Sequence, residues 1–352
     1  MMNSEWRTFL HTQGAQFSQV DMVNDFGTPL QEQQQVLQTT VIVDLSHYGL
    51  IQARGEEASS FLQGQFTNDV RAIDEKTSHL SAWCNPKGRV ISTFTLFKRH
   101  NAYCLLLPKD RVMGTLQRLQ GYVLRSKVTL QHACDEYAII GISGEQSTSV
   151  IVNGLGVEPP TEDYQVFTTD AVTLIKMAGI IPRYVIIAHP GLLQVFWQQT
   201  RLPAVSTHAW QLVDILSGYP QVTQINTETF VPQMLNYDLL NGIHFKKGCY
   251  TGQEIVARLH YLGQLKQRLF LGHIDCEFPP NIHAKLYAPD QERSVGEFVA
   301  IQPHPRGGYS ALAVVEIAYA NNESLLRLNN ANKDRFQFRE LPYQAALNEA
   351  IK

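Results

Sequence analysis

One stretch limits what this chain can fold into more than any other: HFKKGCYTGQEIVARLHYL, from His244 to Leu262. Thr251-x-x-Glu254 reads as a capping box directly ahead of the apolar spacing Ile255, Val256, Leu259, Leu262, so a helix is predicted to begin just after Thr251. Gly248 and Gly252 permit positive φ and a close backbone approach. Cys249 stands at this helix entry beside Lys246 and Lys247, a setting that favours a thiolate or a bound anion. A capped scaffold helix with a small buried Cys and solvated lysines accounts for the capping box alone. It does not account for two Gly, two Lys, Cys249, Gln253 and Arg258 packed into one helix entry. The segment is therefore read as the working part of the chain, with Cys249 as candidate reactive centre assisted by Lys247.

The chain has 352 residues, 44% of them hydrophobic, which predicts two or three domains. A net charge of −3 argues against a general polyanion binder. No apolar run reaches the length of a membrane span, and the N-terminus lacks a signal-peptide pattern, so a cytoplasmic protein without membrane partners is expected. The five cysteines are widely spaced with no C-x-x-C pair, and the twelve histidines show no H-E-x-x-H spacing. No metal site is predicted.

Along the chain, residues 1–38 are polar and glutamine-rich, with Phe9, Leu10 and Phe17 isolated. They read as a loosely attached extension carrying a helix or two. Strand-like runs at 41–46 and 48–51 precede a helix with Ala58, Phe61 and Leu62 at helical spacing, ending at Asn68-Asp69. A hairpin follows, in which Asn85-Pro86-Lys87-Gly88 form a type I turn between strands 80–84 and 90–97. Another strand, a helix with Val112, Leu116 and Leu119 on one face, and a strand at 125–130 complete this unit. A second mixed unit of strands and helices follows from about 135. The helix in HAWQLVDILSGYP stops at Gly218 with Pro220 beyond. After Leu269 short alternating strands predict a small β-barrel or sandwich.

The run K-G-C-Y-T-G-Q-E-x-x-A-R, with Lys266-x-Arg268 after it, resembles the signature of the YgfZ family, folate-binding tRNA-modifying proteins related to the aminomethyltransferase (T-protein) of the glycine cleavage system. FLQGQFTNDV, CNPKGRV, LRSKVTL, SGYP, FVPQ and ELPY extend the likeness, in order, from about Val41 to Pro342. The resemblance implies an α+β, three-domain aminomethyltransferase-like ring with two ferredoxin-like α+β domains and a C-terminal Greek-key β-barrel. It places residues 39–132 plus 206–260 in the first, folate-binding domain, 133–205 in the second, and 261–352 in the barrel domain after the 1–38 extension.

It further implies that tetrahydrofolate or a derivative lies in a central channel against aromatic side chains. The matching positions are Tyr48 and Trp210, joined by Gly248, Tyr250, Gln253, Glu254 and Arg258 from the signature. Trp210 reads equally as a core anchor beside Leu212 and Val213. Lys87, Arg89, Arg125 and Lys127 are candidates for a polyglutamate tail or RNA phosphate, though Lys87 reads better as a solvated turn residue.

Two departures stand out. Ser92 and Thr93 occupy the place of the catalytic Asp of the aminomethyltransferases, and a hydroxyl is no base near neutral pH. Leu216 stands where relatives often carry a pterin-binding Glu, with Asp214 on another face of the helix. Two functions follow from the resemblance: a folate-dependent accessory protein supporting Fe–S enzymes, such as those that thiolate tRNA, or a one-carbon transferase with a rearranged site. Direct, sequence-specific nucleic-acid binding is not predicted, because no RNA-binding motif occurs.

Overall fold

The structure is a computed structural model, and it describes residues 2–19, 22–289, 291–320, 325–328 and 334–351. Among them no helix is long and apolar enough to cross a membrane. A five-stranded antiparallel sheet, a six-stranded sheet with one parallel edge strand, a short two-stranded sheet, their helices and one closed barrel make up the fold, which matches the expected α+β architecture.

The first sheet has five strands in the order His79–Cys84, Val90–Arg99, Ala102–Pro108, Tyr48–Arg54 and Thr129–His132. Helices Ala58–Gln63 and Lys109–Val123 cover one face through Phe61, Leu62, Val112, Leu116 and Leu119. The other face faces the main core with Leu50, Leu80, Phe97 and Leu106. Burial on both faces explains why these strands are nearly continuous in apolar residues. The predicted turn is present: the Gly88 amide donates to the Asn85 carbonyl at 2.9 Å, and the Asn85 side chain accepts from the Lys87 and Arg89 amides.

The second sheet has six strands in the order Val166–Thr168, Val172–Met177, Arg183–Ala188, Ala138–Ser143, Val41–Asp44 and Ala204–Val205. Val41–Asp44, grouped by sequence with the first unit, pairs here with Ala138–Ser143, while the chain from Tyr48 onward enters the five-stranded sheet. One face is covered by helices Ser147–Leu155, Pro190–Thr200 and Ser4–Thr12, the other by Thr207–Leu216.

The first helix, Ser4–Thr12, is firmly packed rather than loosely attached. Trp6, Phe9 and Leu10 sit at i, i+3, i+4 on the first helix, and all are buried. The Trp6 ring meets Phe9 and Trp197, and its indole N–H donates to the buried Asp44 carboxylate at 2.8 Å. A buried carboxylate in need of a donor gives this segment a fixed anchor.

The barrel closes in the order Gln267–Ile274, Tyr309–Glu316, Gly296–Pro303, Lys285–Tyr287, Leu325–Leu328 and Arg335–Arg339, with every pair antiparallel. Three hairpin-linked strands and a first strand lying beside the last of them make a Greek key.

Candidate functional site

The signature segment lies where three parts of the first unit meet. Its helix runs Gln253–Tyr261 and begins after Gly252, not after a Thr251 cap. Gly252 has φ of 83° and no side-chain cap is made. The reason is contact with the hairpin turn: a Cβ at Gly252 would lie 2.5 Å from the Asn85 carbonyl and 3.1 Å from Gly88 Cα. Gly88 is equally constrained, since its Cβ would meet Ile255 at 2.9 Å. Two glycines 164 positions apart in sequence thus let a turn and a helix entry touch backbone to backbone.

Lys247 holds the third part. Its buried ammonium donates to the carbonyls of Gln63, Phe66 and Asn68 at 2.8, 2.5 and 2.9 Å. These are the end of helix Ala58–Gln63 and the loop after it, so the helix stops short of the end at Asn68-Asp69 that its apolar spacing predicts. Burial lowers the Lys247 pKa to about 8. Thr67 and Asn68 add hydrogen bonds to the Gly242 and Asn241 carbonyls. Lys247 therefore has all three protons committed to the frame and is not free to assist Cys249. Tyr250 is buried with its ring 5.0 Å from the Lys247 ammonium, and Gln253 reaches the Lys247 carbonyl at 3.5 Å. Cys249, Gly248, Glu254 and Arg258 are exposed. The signature thus presents an accessible thiol from a rigid base.

The other sequence candidates lie elsewhere. Trp210 is wholly buried against Gly141, where a Cβ would sit 2.4 Å from its ring, with the Arg183 guanidinium 5.0 Å from the ring centroid. It is a core anchor. Tyr48 is buried, and its hydroxyl meets Gln221 and Asp214. Among the described residues no hydrogen bond or ring contact joins these two to the signature. Ser92 and Thr93 are buried: Ser92 Oγ is 2.5 Å from Thr115 Oγ1, and Thr93 Oγ1 accepts from the Val222 amide at 2.9 Å.

A cavity of about 600 Å³ lies one layer in front of Tyr48. Its walls come from residues 24–33, from the helix Thr207–Leu216 and the loop after it, and from the barrel. Ile225, Ile282, Val299 and Ile301 make the apolar surface. His208, Gln211 and Ile215 share one face of their helix and line the opposite side. Asp214 also lines it: Arg183 donates to Oδ1 at 2.6 Å, and Gln221 donates to Oδ2 at 3.3 Å. Burial raises the Asp214 carboxyl pKa against the pull of Arg183. Gln33 Oε1 and His208 Nδ1, both buried atoms on this wall, have no hydrogen-bond partner in the protein. Leu216 points instead to a separate cleft on the barrel.

The sequence reading did not assemble this cavity. The one signal in the sequence is the polar spacing His208, Gln211, Asp214 along the helix Thr207–Leu216. The contributions from residues 24–33 and from the barrel left no local trace.

Comparison with known proteins bears on the family and the fold of the chain. Residues 5–184 match the family model of the GCVT N-terminal domain. The protein named "tRNA-modifying protein YgfZ" of Colwellia psychrerythraea is 37% identical over 243 residues, covering 69% of this chain and 74% of that protein. The protein of the same name from Sodalis glossinidius is 28% identical over 306 residues, covering 86% and 92%. The crystal structure of the glycine cleavage system aminomethyltransferase T from Bartonella henselae superposes with a TM-score of 0.81 over 97% of both chains at 15% identity, a likeness of fold.

Proposed function

This chain belongs to the YgfZ family, and on that premise we propose that it is a folate-binding accessory protein that supports tRNA modification through the upkeep of Fe–S enzymes. The observation that carries the folate reading is the cavity of about 600 Å³. Its size and apolar walls suit a flat heteroaromatic ring, and a few convergent polar groups suit the ring's edge. Asp214 is a carboxylate acceptor, and Gln33 and Gln211 add polar side chains to the lining, so the wall complements the amino and N–H groups of a pterin. When bound, the folate supplies one-carbon chemistry. The chain's residues bind and orient it, and exclude water from its ring.

The one-carbon transferase reading has less support. Ser92 and Thr93 are engaged in hydrogen bonds within the fold and offer no carboxylate. In the accessory reading Cys249 is the exposed thiol that meets a client enzyme, held by a frame that Lys247 and Gly252 fix in place.

Calorimetric titration of tetrahydrofolate into the whole protein tests the proposal. Saturable binding is expected, and Ala300→Trp, which fills the cavity, lowers affinity at least tenfold with little change in Tm. Absence of binding at micromolar ligand, or equal binding by the filled variant, sinks the assignment. Cys249→Ala is expected to fail to complement a strain lacking the protein, and full complementation removes Cys249 from the role.

A further inference from the structure

A second cleft, of about 390 Å³, shares no lining residue with the cavity above. It lies between Leu216 and the barrel, and it is lined by His273, His304, Arg306, Ser310 and Arg339. The barrel register explains the grouping. His273 pairs with Ser310 on one neighbouring strand and Gln337 on the other, and Leu271 pairs with Arg339, so alternation puts the His273, Ser310 and Arg339 side chains on one face. The hairpin 304–308 folds over that face. Gly308, at φ of 64°, comes so near that a Cβ would sit 2.9 Å from His273 Nε2.

The chemistry of this cleft is one-sided. Among the described residues no carboxylate lines it, and neither guanidinium is in an ion pair; Arg339 donates to Gln337 at 3.2 Å. The two imidazole rings meet edge to face at 5.5 Å. His304 Nδ1 accepts from the Arg306 amide at 3.2 Å, so the neutral ring carries its proton on Nε2 and is a donor there. Two planar guanidinium forks, a fixed imidazole donor and a hydroxyl form a donor set for a tetrahedral oxyanion. We infer that this cleft is a phosphate-binding site, independent of the folate reading, which takes either a backbone phosphate of RNA or a free phosphate.

Burial and the neighbouring positive charges lower both histidine pKa values: Arg339 acts on His273, and His273, Arg306 and Arg339 act on His304. Asp275 acts on His273 in the opposite sense. A bound anion favours the protonated rings, so by linkage affinity rises as pH falls through the free-state pKa values, below the ordinary 6.5 of the imidazole.

The test uses the whole protein. Inorganic phosphate at pH 7.5 is expected to shift the His273 and His304 ring signals saturably by NMR. Arg306→Gln with Arg339→Gln, both exposed side chains, is expected to weaken binding at least tenfold with unchanged Tm. Sulfate, whose charge is constant over the range, is expected to bind several-fold tighter at pH 5.5 than at pH 8. A labelled tRNA distinguishes the sources: displacement by phosphate, with a salt slope reduced in the double variant, assigns the site to RNA backbone. Phosphate binding without tRNA competition assigns it to free phosphate. No saturable phosphate shift, or wild-type affinity in the double variant, overturns the inference.

Discussion

The signature junction and the cavity of about 600 Å³ are opposites. At the junction two conspicuous residues of KGCYTGQE serve contact with another backbone: Gly252 touches Gly88, and Lys247 ties down three carbonyls. The cavity is built from residues that look ordinary in sequence, such as Gln33, His208 and Ile301, brought from three distant segments. A dense motif therefore need not be the ligand site. Here Lys247 and Gly252 serve a frame that leaves the Cys249 thiol exposed, with the Glu254 carboxylate exposed beside it.

That contrast is breakable by mutation. The largest effect is expected for Gly252→Ala, which combines a positive φ with a clash against a carbonyl that cannot move. A loss of about 3 kcal/mol in denaturant unfolding is expected, since strained backbone alone accounts for roughly 1–3 kcal/mol. If Gly252→Ala unfolds like wild type, the backbone interlock is not what holds the junction. Lys247→Met is expected to destabilise by about 2 kcal/mol, because charged donors are lost and buried carbonyls stay unpaired. A variant with lost activity but normal stability would return Lys247 to a chemical role.

On the cavity side, Gln33→Leu removes an acceptor that the protein leaves unpaired. It is expected to change stability by less than about 1 kcal/mol while weakening tetrahydrofolate several-fold by calorimetry. Equal affinity would show that the orphaned oxygen does not meet the ligand. The smallest stability effect belongs to Cys249→Ala, expected within about 0.5 kcal/mol of wild type because the side chain is exposed. A larger loss would make the thiol part of the frame.

Much of the fold was legible in the chain. The Asn85–Gly88 turn, the alternating barrel strands, and the stop at Gly218 all depend on neighbours in sequence, and each is found. The N-terminal anchor was not recognised, although Trp6, Phe9 and Leu10 carry a helical period, because so short a pattern gains meaning only when Asp44 and Trp197 are opposite it. The helix cap at Thr251 failed for a similar reason. A local hydrogen bond gave way to the contact between Gly252 and the hairpin.

For the site, the sequence by itself determined that a thiol stands at a glycine-flanked helix entry, and that no carboxylate occupies positions 92 and 93. Tertiary structure alone decided that Trp210 is enclosed in the core, that Asp214 rather than position 216 lines the cavity beside Tyr48, and that Lys247 is consumed by the frame. Turns and periodic faces are properties of bonds a few residues apart. Cavities, orphaned polar atoms and spent donors exist only once segments far apart in the chain share one volume.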